Sequence, residues 1–399
     1  MRDVVIVSAC RTPIGKFMGQ FKDVSARELA IIAGKAAIFR AGLMPEQVED
    51  VAVGQVYTGM QGSLPARQIS CRIGCPVTSN AVSVNQNCAS GMRALEILCN
   101  NIQLGKSDIG LAIGVESMTN APYLLPKGRA GYRMGQGTIE DSMLHDGLVD
   151  ELSCGHMGIT AENIAELYHI TREECDLLAV RSHQSACKAI KEGRFKREIA
   201  PVVIKTKKGE VMIHDDEHPI RDCTLDSIKN LKPAFKEGGV TTAANASGIN
   251  DAAAAVIVMS KEKAEELRIK PLVKMIHICA AGVDPKVMGL GPAVAIPKCL
   301  KTAKMGFTDV DYWEINEAFA AQFLGVAQKL KEDYNWTLPM NRCNVNGSGI
   351  ALGHPVGCTA LRIIVTMIYE MIRSRYTIGC ASLSVGGGPA MASIWTRDI

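Results

Sequence analysis

The sequence predicts a mixed α/β fold in which one layered α/β/α unit occurs twice, the two halves packing together with a loop domain inserted between them in the chain. Strands and helices alternate in both halves. Strands such as residues 109–115 and 378–385 are apolar along their whole length, which is typical of sheets covered on both faces. In addition, Val84-Asn85 and Val345-Asn346 each lead through glycines into a helix, as expected of an internal duplication.

The elements occur in the same order in both halves. Each half opens with a strand, a helix and a second strand before it reaches the Val-Asn pair. We predict these elements at residues 4–9, 26–41 and 51–56 in the first half and at residues 272–280, 294–304 and 312–315 in the second. A strand at 252–259 and a capped helix at 260–269 then complete the first half.

The chain divides into three parts on this pattern. Residues 1–118, completed by 251–270, form the N-terminal half, and residues 271–399 form the C-terminal half. Residues 119–250 have no counterpart elsewhere in the chain and are predicted to form the loop domain. Its start at 121–137, rich in glycine, proline and arginine, is either an arm that contacts another subunit or a solvated loop.

Composition excludes several classes of protein. With 399 residues and a hydrophobic content of 47%, the chain can bury a substantial core. The formal net charge is +3 and the basic residues are scattered, so we expect no nucleic-acid partner. The longest apolar stretches, such as residues 252–259, are far shorter than the ~20 residues that a membrane-spanning helix needs. We therefore expect no membrane span.

The start of the chain and its cysteines bear on location and metal content. The sequence enters an apolar strand at residue 4, which leaves no room for a leader peptide. The 14 cysteines are dispersed, without a CxxC pair or a cluster of zinc-ligand spacing. His214 and His218 lie four residues apart, but in a polar turn. We predict a cytoplasmic protein in a reducing compartment, with no bound metal.

Cys88 is the candidate nucleophile. It ends an apolar run and begins a helical one, where orphan backbone N–H groups and the helix dipole favour a thiolate. Gly91 leaves room there for a closely packed neighbour. A cysteine can also be a small buried apolar residue. Two segments rich in glycine and polar residues, 344–357 and 385–389, favour the chemical interpretation because a plain core would need neither.

Six motifs together resemble the thiolase family across essentially the whole chain. They are the Asn-x-x-Cys-Ala-Ser-Gly around Cys88, His156-Met157-Gly158-Ile159-Thr160-Ala161-Glu162, Asn245-Ala246-Ser247-Gly248-Ile249-Asn250-Asp251, Asn316-Glu317-Ala318-Phe319, Gly353-His354-Pro355 and Gly386-Gly387-Gly388. The resemblance implies thiolysis of acetoacetyl-CoA by CoA, or condensation of two acetyl-CoA molecules, through an acyl-Cys88 intermediate. It also implies coenzyme A as a substrate, no tightly bound cofactor, and a homodimer or homotetramer.

The resemblance assigns roles to individual residues. His354 would take the proton of Cys88 and help to form an oxyanion site, and Asn316 would hold a water that stabilises an enolate. The implied CoA contacts are His156 and Ser247 near the pantetheine arm, Arg221 and Ser227 near the nucleotide, and Met157, Met288 and Phe319 around the acyl group. Short-chain thiolases, which act on acetoacetyl-CoA, also have methionines at the positions of Met157 and Met288. Arg221 and Ser227 could also be ordinary surface residues, and the methionines could simply fill the core.

One position departs from the family pattern. Most thiolases have a second cysteine before the glycine triplet, as the acid or base that moves the α-proton, and this chain has Ser384 there. A serine hydroxyl is normally a neutral hydrogen-bonding group, so it should move a carbon-bound proton poorly. Cys380 lies four strand residues away, roughly 13 Å. Cys358 could substitute if it stands one helical turn from His354.

Three interpretations of Ser384 follow. The protein is a thiolase slowed or specialised at proton transfer, or a related acyltransferase that moves the proton by another route. The third interpretation is a CoA-ester-binding subunit whose turnover is lost, naturally or by engineering. Because Cys88, His354 and Asn316 are all retained, the sequence argues against complete loss of the chemistry.

Overall fold

The computed structural model describes residues 1–153, 155–207 and 209–399. Within them the chain forms sixteen β-strands and eleven α-helices. The strands are β1 Val4–Arg11, β2 Gly15–Lys16, β3 Asp50–Gly54, β4 Asn80–Val84, β5 Ile109–Ser117, β6 Tyr123–Leu124, β7 Glu140–Asp141, β8 Val149–Asp150, β9 Gly155–His156, β10 Val202–Thr206, β11 Gly209–Ile213, β12 Asn250–Ser260, β13 Val273–Gly282, β14 Tyr312–Ile315, β15 Ile378–Ser384 and β16 Pro389–Thr396. The helices are α1 Ala26–Arg40, α2 Pro65–Ile73, α3 Ser90–Gln103, α4 Met157–Tyr168, α5 Arg172–Lys191, α6 Leu225–Ile228, α7 Lys261–Glu266, α8 Pro292–Ala303, α9 Ala320–Tyr334, α10 Gly349–Leu352 and α11 Val356–Ser374.

A ten-stranded sheet, counted over the described residues, runs through both halves of the molecule. Strands β4, β3, β5, β12 and β1 lie side by side in the first half, with the short β2 paired to β12, and β13, β16, β15 and β14 continue the sheet in the second half. The halves meet where β1 pairs antiparallel with β13, with Val5 opposite Lys274 and Ile6 opposite Val273. The sequence predicted two packed halves but not this edge-to-edge junction.

Strand order and direction repeat on either side of the junction. In the first half β1 is antiparallel to β12, β12 is antiparallel to β5, and β5 is parallel to β3. In the second half β13 is antiparallel to β16, β16 is antiparallel to β15, and β15 is parallel to β14. Further out, β3 pairs in parallel with β4, and Trp313 of β14 forms a parallel bridge to Cys343. This repeat supports the internal duplication expected from the sequence.

Helices cover both faces of the sheet, as the apolar strands predicted. On one face α3 and α11 pack on each other and on β5, and α11 also contacts β15. On the other face α1 covers β12 and β5, and α8 covers β13 and β16. Helix α11 is buried along most of its length, including the polar side chains of Thr359 and Arg362. It is therefore a central core element that both halves share.

Glycines let α3, α11 and β5 approach closely. A Cβ on Gly91 would lie 3.0 Å from Cβ of Leu361. A Cβ on Gly114 would lie 2.9 Å from the carbonyl oxygen of Gly357. Protein cores are packed too densely to absorb such extra atoms without movement of the backbone. The prediction that Gly91 faces a closely packed neighbour is confirmed.

The observed elements agree with the sequence predictions to within a few residues. The strand at 312–315 has the expected bounds. The helix expected at 260–269 is shorter, and Ser260 caps it by accepting the backbone N–H of Lys263 at 3.2 Å. Among the helices of the described residues, we find none with the length and apolar character needed to cross a lipid bilayer.

The segment between the halves packs on both of them. It contains α4, α5, α6 and the hairpin of β10 and β11, and α4 and α5 lie against α9 of the second half. A buried guanidinium ties it to the first half, because Arg11 of β1 pairs with Glu198 at 2.5 Å and with Asp216 at 2.6 Å. Residues 123–139 are exposed, which leaves both interpretations of that stretch open.

Replacement of Arg11 by leucine should destabilise the fold by roughly 3–5 kcal/mol, because the Glu198 and Asp216 carboxylates would remain buried without their partner. The urea midpoint measures the loss. Arg2→Leu is the matched control, since Arg2 pairs with Asp108 near the surface, where an ion pair contributes about 0–1 kcal/mol. Equal losses for the two variants would contradict a structural role of the buried pair.

Candidate active site

A cavity of about 540 Å³ opens where the two halves meet the inserted segment. The turn after β4, the turn between β15 and β16, and the segment before α11 all contribute to its wall. Its lining includes Cys88, His354 and Ser384, and the inserted segment adds His156 and His218. Residues that are far apart in the chain therefore share one enclosed space.

Cys88 lies in the turn between β4 and α3. The sequence placed Cys88 at the start of a helix. In the structure α3 begins at Ser90, so Cys88 precedes the helix by two residues. The hydroxyl of Ser90 donates to the carbonyl of Asn87 at 2.7 Å and accepts the backbone N–H of Gln86 at 2.9 Å. Asn87 has a left-handed φ of 44°, which asparagine tolerates better than most residues. These contacts fix the turn that presents the thiol to the cavity.

The thiol of Cys88 is neutral in the unliganded site. Burial raises its pKa to about 11, although the backbone N–H groups of Gly386 and of Cys88 itself act in the opposite direction. The nearby carboxylate of Glu116 also raises this pKa. Loss of hydration therefore outweighs the N–H groups around the sulfur and favours the neutral thiol over the thiolate that the helix start suggested.

His354 contacts Cys88 directly. Its Nε2 lies 3.2 Å from Sγ of Cys88. On the other side of the ring, Nδ1 lies 2.6 Å from Oγ1 of Thr359, and that hydroxyl donates to the carbonyl of Pro355 at 3.0 Å. Because the hydroxyl proton is used on Pro355, Nδ1 carries the ring proton and Nε2 keeps a lone pair facing the thiol. Thr359 therefore selects the tautomer that can accept the proton of Cys88.

The imidazole of His354 is neutral as well. Burial lowers its pKa to about 3, and the cation of Arg362 in the core acts in the same direction. Cys88 and His354 thus form an S–H···N hydrogen bond and not an ion pair. The proton is expected to move only when the sulfur attacks, since burial of both groups makes separated charges costly.

Asn316 and Ser384 present buried polar atoms. Neither the carboxamide of Asn316 nor the hydroxyl of Ser384 has a hydrogen-bond partner among the described residues. Buried polar side-chain atoms are normally paired, so these groups are available to a bound molecule. Ser384 lines the cavity, whereas Asn316 follows β14 and is not part of the lining. Gly349 packs on Asn316, where a Cβ would lie 2.6 Å from Oδ1.

Five of the seven residues expected to hold CoA line this cavity together. They are His156, Met157, Ser247, Met288 and Phe319. The ring of His156 stacks on Phe235 with centroids 4.6 Å apart. Phe235 also lines the cavity, although none of the sequence motifs includes it. The cavity thus has an apolar wall that suits a flexible ligand arm.

Arg221 and Ser227 lie outside the cavity. Both are exposed. Arg221 lies with Asp222 in a separate surface depression. Ser227 belongs to the N-terminal cap of α6, where its hydroxyl donates to the carbonyl of Thr224 at 2.7 Å. Their role at the nucleotide end of CoA stays a prediction.

Neither cysteine considered as a substitute at position 384 reaches the cavity. Helix α11 begins at Val356, after His354, so helical spacing does not relate His354 to Cys358. Cys358 is fully buried in the core, and burial raises its pKa to about 12. Cys380 is also fully buried. The idea that Cys358 replaces the missing thiol is therefore wrong.

Glu116 was not selected from the sequence, but it ties the two sides of the site together. Its carboxylate accepts the backbone N–H groups of Val56 at 3.0 Å, Tyr57 at 3.1 Å and Gly357 at 2.9 Å. Burial raises its pKa to about 7, while these three N–H groups lower it. Because Gly357 lies in the first turn of α11, the carboxylate also faces the positive end of that helix.

A thiol and an imidazole in contact, at the junction of two similar α/β halves, define a protein that transfers acyl groups through a cysteine. Comparison with known families agrees with this class. Residues 4–262 match the thiolase N-terminal domain and residues 269–397 match the thiolase C-terminal domain. The chain belongs to the thiolase family.

Individual relatives are similar along the whole length. An acetyl-CoA acetyltransferase of Syntrophomonas wolfei is 49% identical over 98% of this chain and 98% of its own. A solved structure of an acetyl-CoA acetyltransferase from Syntrophomonas wolfei superposes with a TM-score of 0.99 at 60% identity, covering all of both chains. The human mitochondrial 3-ketoacyl-CoA thiolase in complex with CoA has a TM-score of 0.94 at 36% identity, over 100% of this chain and 98% of its own.

Alkylation of Cys88 by iodoacetamide should accelerate roughly tenfold per pH unit from about pH 7 to about pH 10, because the reacting thiolate forms only as the pH approaches a pKa of about 11. Peptide mass analysis measures the rate at this cysteine. Cys88→Ser identifies the correct peptide signal. A plateau beginning near neutral pH would indicate a thiolate–imidazolium pair and contradict the neutral pair.

Proposed function

We propose that the protein is a short-chain thiolase, an acetyl-CoA C-acetyltransferase that cleaves acetoacetyl-CoA with CoA or condenses two acetyl-CoA molecules. The observation that carries the proposal is the 3.2 Å contact of Cys88 and His354 inside the cavity. The relatives named acetyl-CoA acetyltransferase support the choice of substrate.

The first half-reaction uses Cys88 and His354. The sulfur attacks the carbonyl carbon of an acyl-CoA while its proton passes to Nε2 of His354. The bond between the acyl carbon and the CoA sulfur then breaks, and the departing thiolate takes the proton from Nε2. The products are free CoA, acyl-Cys88 and a neutral imidazole. The N–H of Gly386, which lowers the pKa of Cys88, is suited to stabilise developing negative charge.

The second half-reaction forms the carbon–carbon bond. The group at position 384 takes an α-proton from the second acetyl-CoA, and the resulting carbanion attacks the acyl carbon on Cys88. The bond between that carbon and the sulfur of Cys88 breaks, and the departing sulfur takes up one proton, which balances the proton lost by the substrate. Thiolysis is the reverse sequence. Asn316 would hold a water that, together with His354, stabilises the enolate oxygen, and the unpaired polar atoms of its carboxamide support this role.

A small acyl group fits the methionines around the sulfur. Met157 and Met288 are almost fully buried, at 7% and 4% exposure, and both line the cavity. Met157 packs directly on the backbone of Gly386. A Cβ added to Gly386 would lie only 2.5 Å from Cε of Met157. A longer acyl tail would have to displace these thioethers, so we infer a preference for acetyl over long-chain groups.

The remaining expectations concern CoA, assembly and location. CoA is a substrate and product in this proposal, with no tightly bound cofactor, and its nucleotide end lies near Arg221 and Ser227. We infer a homodimer or homotetramer and a cytoplasmic location. The cysteines of the described residues are all free thiols, which fits a reducing compartment.

A second candidate function follows from Ser384. Its hydroxyl has no hydrogen-bond partner among the described residues that could take its proton, so it is a weak base for a carbon-bound proton. The protein would then acylate Cys88 but form or cleave the carbon–carbon bond slowly. It would act as an acyltransferase or as a CoA-ester-binding subunit with impaired proton transfer.

Acetyl-CoA should add one acetyl group to the protein within seconds to minutes, because Cys88 and His354 are already in contact. Intact-mass analysis after rapid acid quenching measures the adduct, and the assay extends to longer acyl-CoA esters to test chain length. Cys88→Ser should remain unmodified by a thioester-linked group. An unmodified wild-type protein would reject both candidate functions that involve acylation.

Restoring a thiol with Ser384→Cys should raise acetoacetyl-CoA thiolysis about 10²- to 10⁴-fold, the usual contribution of a well-placed acid or base. Ser384→Ala is the control, and it should match the wild type if the hydroxyl moves no proton. Absorbance of the enolate form of acetoacetyl-CoA measures the rate. If Ser384→Cys gives no increase, proton transfer at position 384 does not limit the reaction.

A further inference from the structure

His218 belongs to the inserted segment, yet its side chain lines the cavity. The ring of His218 packs on the backbone of Gly248. A Cβ added to Gly248 would lie only 2.1 Å from Cε1 of His218. The surrounding turn is held on two sides. Asp216 pairs with Arg11 at 2.6 Å, and the backbone N–H of Ile220 donates to Nδ1 of His183 at 3.1 Å. His218 is therefore fixed in place although it lies in a loop.

Asn250 stands between His218 and the backbone of His354. Its Oδ1 accepts the backbone N–H of His354 at 3.0 Å, and its Nδ2 donates to the carbonyl of Gly15 at 2.9 Å. These two contacts decide the orientation of the carboxamide, because only the oxygen can accept the N–H and only the nitrogen can donate to the carbonyl. The second proton of Nδ2 is left for Nδ1 of His218, 3.3 Å away.

The protonation state of His218 agrees with this pattern. Burial lowers its pKa to about 4, and the nearby His183 and Lys16 act in the same direction. The ring is therefore neutral, and the tautomer that carries its proton on Nε2 keeps a lone pair on Nδ1 for Asn250. One imidazole thus lines the cavity and contacts Asn250.

The backbone at His354 depends on Asn250. Gly353 has a left-handed φ of 98°, and a Cβ there would lie 2.4 Å from Cγ of Asn250. The carboxamide therefore packs directly on the residue before His354. A change in its orientation would place the Nδ2 protons against the N–H of His354 and push that residue away from Cys88.

We propose that His218 is a positioning residue for acyl transfer, which adds a third hydrogen bond to the carboxamide of Asn250 and thereby restrains the residue that holds His354 in contact with Cys88. The role rests on the proposed thiolase function. It assigns a task to a histidine that makes no contact with the reacting atoms. It also means that the inserted segment, through one hydrogen bond, contributes to the geometry of the acid–base pair.

The test compares two variants of nearly equal shape. His218→Leu removes the acceptor, whereas His218→Asn keeps an acceptor oxygen close to the position of Nδ1. The readout is the rate constant for acetylation of Cys88 by saturating acetyl-CoA, from intact mass after rapid quenching. We expect His218→Leu to be slower by about 10- to 100-fold and His218→Asn to recover most of the rate. The half-saturating acetyl-CoA concentration and the melting temperature should change little.

A double-mutant cycle with Asn250→Ala tests the connection. If His218 acts through Asn250, the double variant should be no slower than Asn250→Ala alone. Additive losses, equal losses for His218→Leu and His218→Asn, or a higher half-saturating concentration at an unchanged rate constant would each overturn the proposal. If the wild-type protein is not acetylated, the proposed function fails; if it is acetylated and His218→Leu matches it, only the positioning role fails.

Discussion

The contact of Cys88 with His354 depends on how closely α3 and α11 approach each other where both helices pack on β5. That approach is possible because Gly91, Gly114 and Gly357 carry no side chains where the three elements meet. Any methyl group there would separate the two turns that hold the reacting groups, and a misplacement of about 1 Å can cost roughly a hundredfold in rate. The carboxylate of Glu116 also fixes the start of α11 against β5, because it accepts the backbone N–H of Gly357.

Burial, more than charge, sets the chemistry of this centre. Burial disfavours the ionised forms of both the Cys88 thiol and the His354 imidazole, so their pKa values move apart in opposite directions. Before a ligand binds, Cys88 and His354 therefore interact through a hydrogen bond between neutral groups and without a separation of charge. The hydroxyl of Ser384, in contrast, has no hydrogen-bond partner among the described residues.

The sequence predicted the duplicated α/β layers and most element positions because apolar periodicity is a local signal. It also predicted that Cys88 and His354 meet, through motifs in the thiolase pattern. It failed where the outcome depended on surroundings contributed by distant segments. The thiolate expected at Cys88 ignored burial, and the substitute role of Cys358 assumed a helix that begins only at Val356. The sequence did not assign the hydrogen bonds by which Asn250 and Thr359 hold His354, because spacing does not show which atoms meet.

The Val-Asn turn occurs once in each half, and the two copies supply different reactants. The first copy leads to the sulfur of Cys88, whereas the second leads to the ring of His354, and the paired edges of β1 and β13 join the sheets that carry them. Had both copies kept the same side chain, the molecule would hold two nucleophiles or two bases and no proton relay between them. Divergence of the repeat, and not the repeat itself, therefore created a centre that neither half could assemble alone.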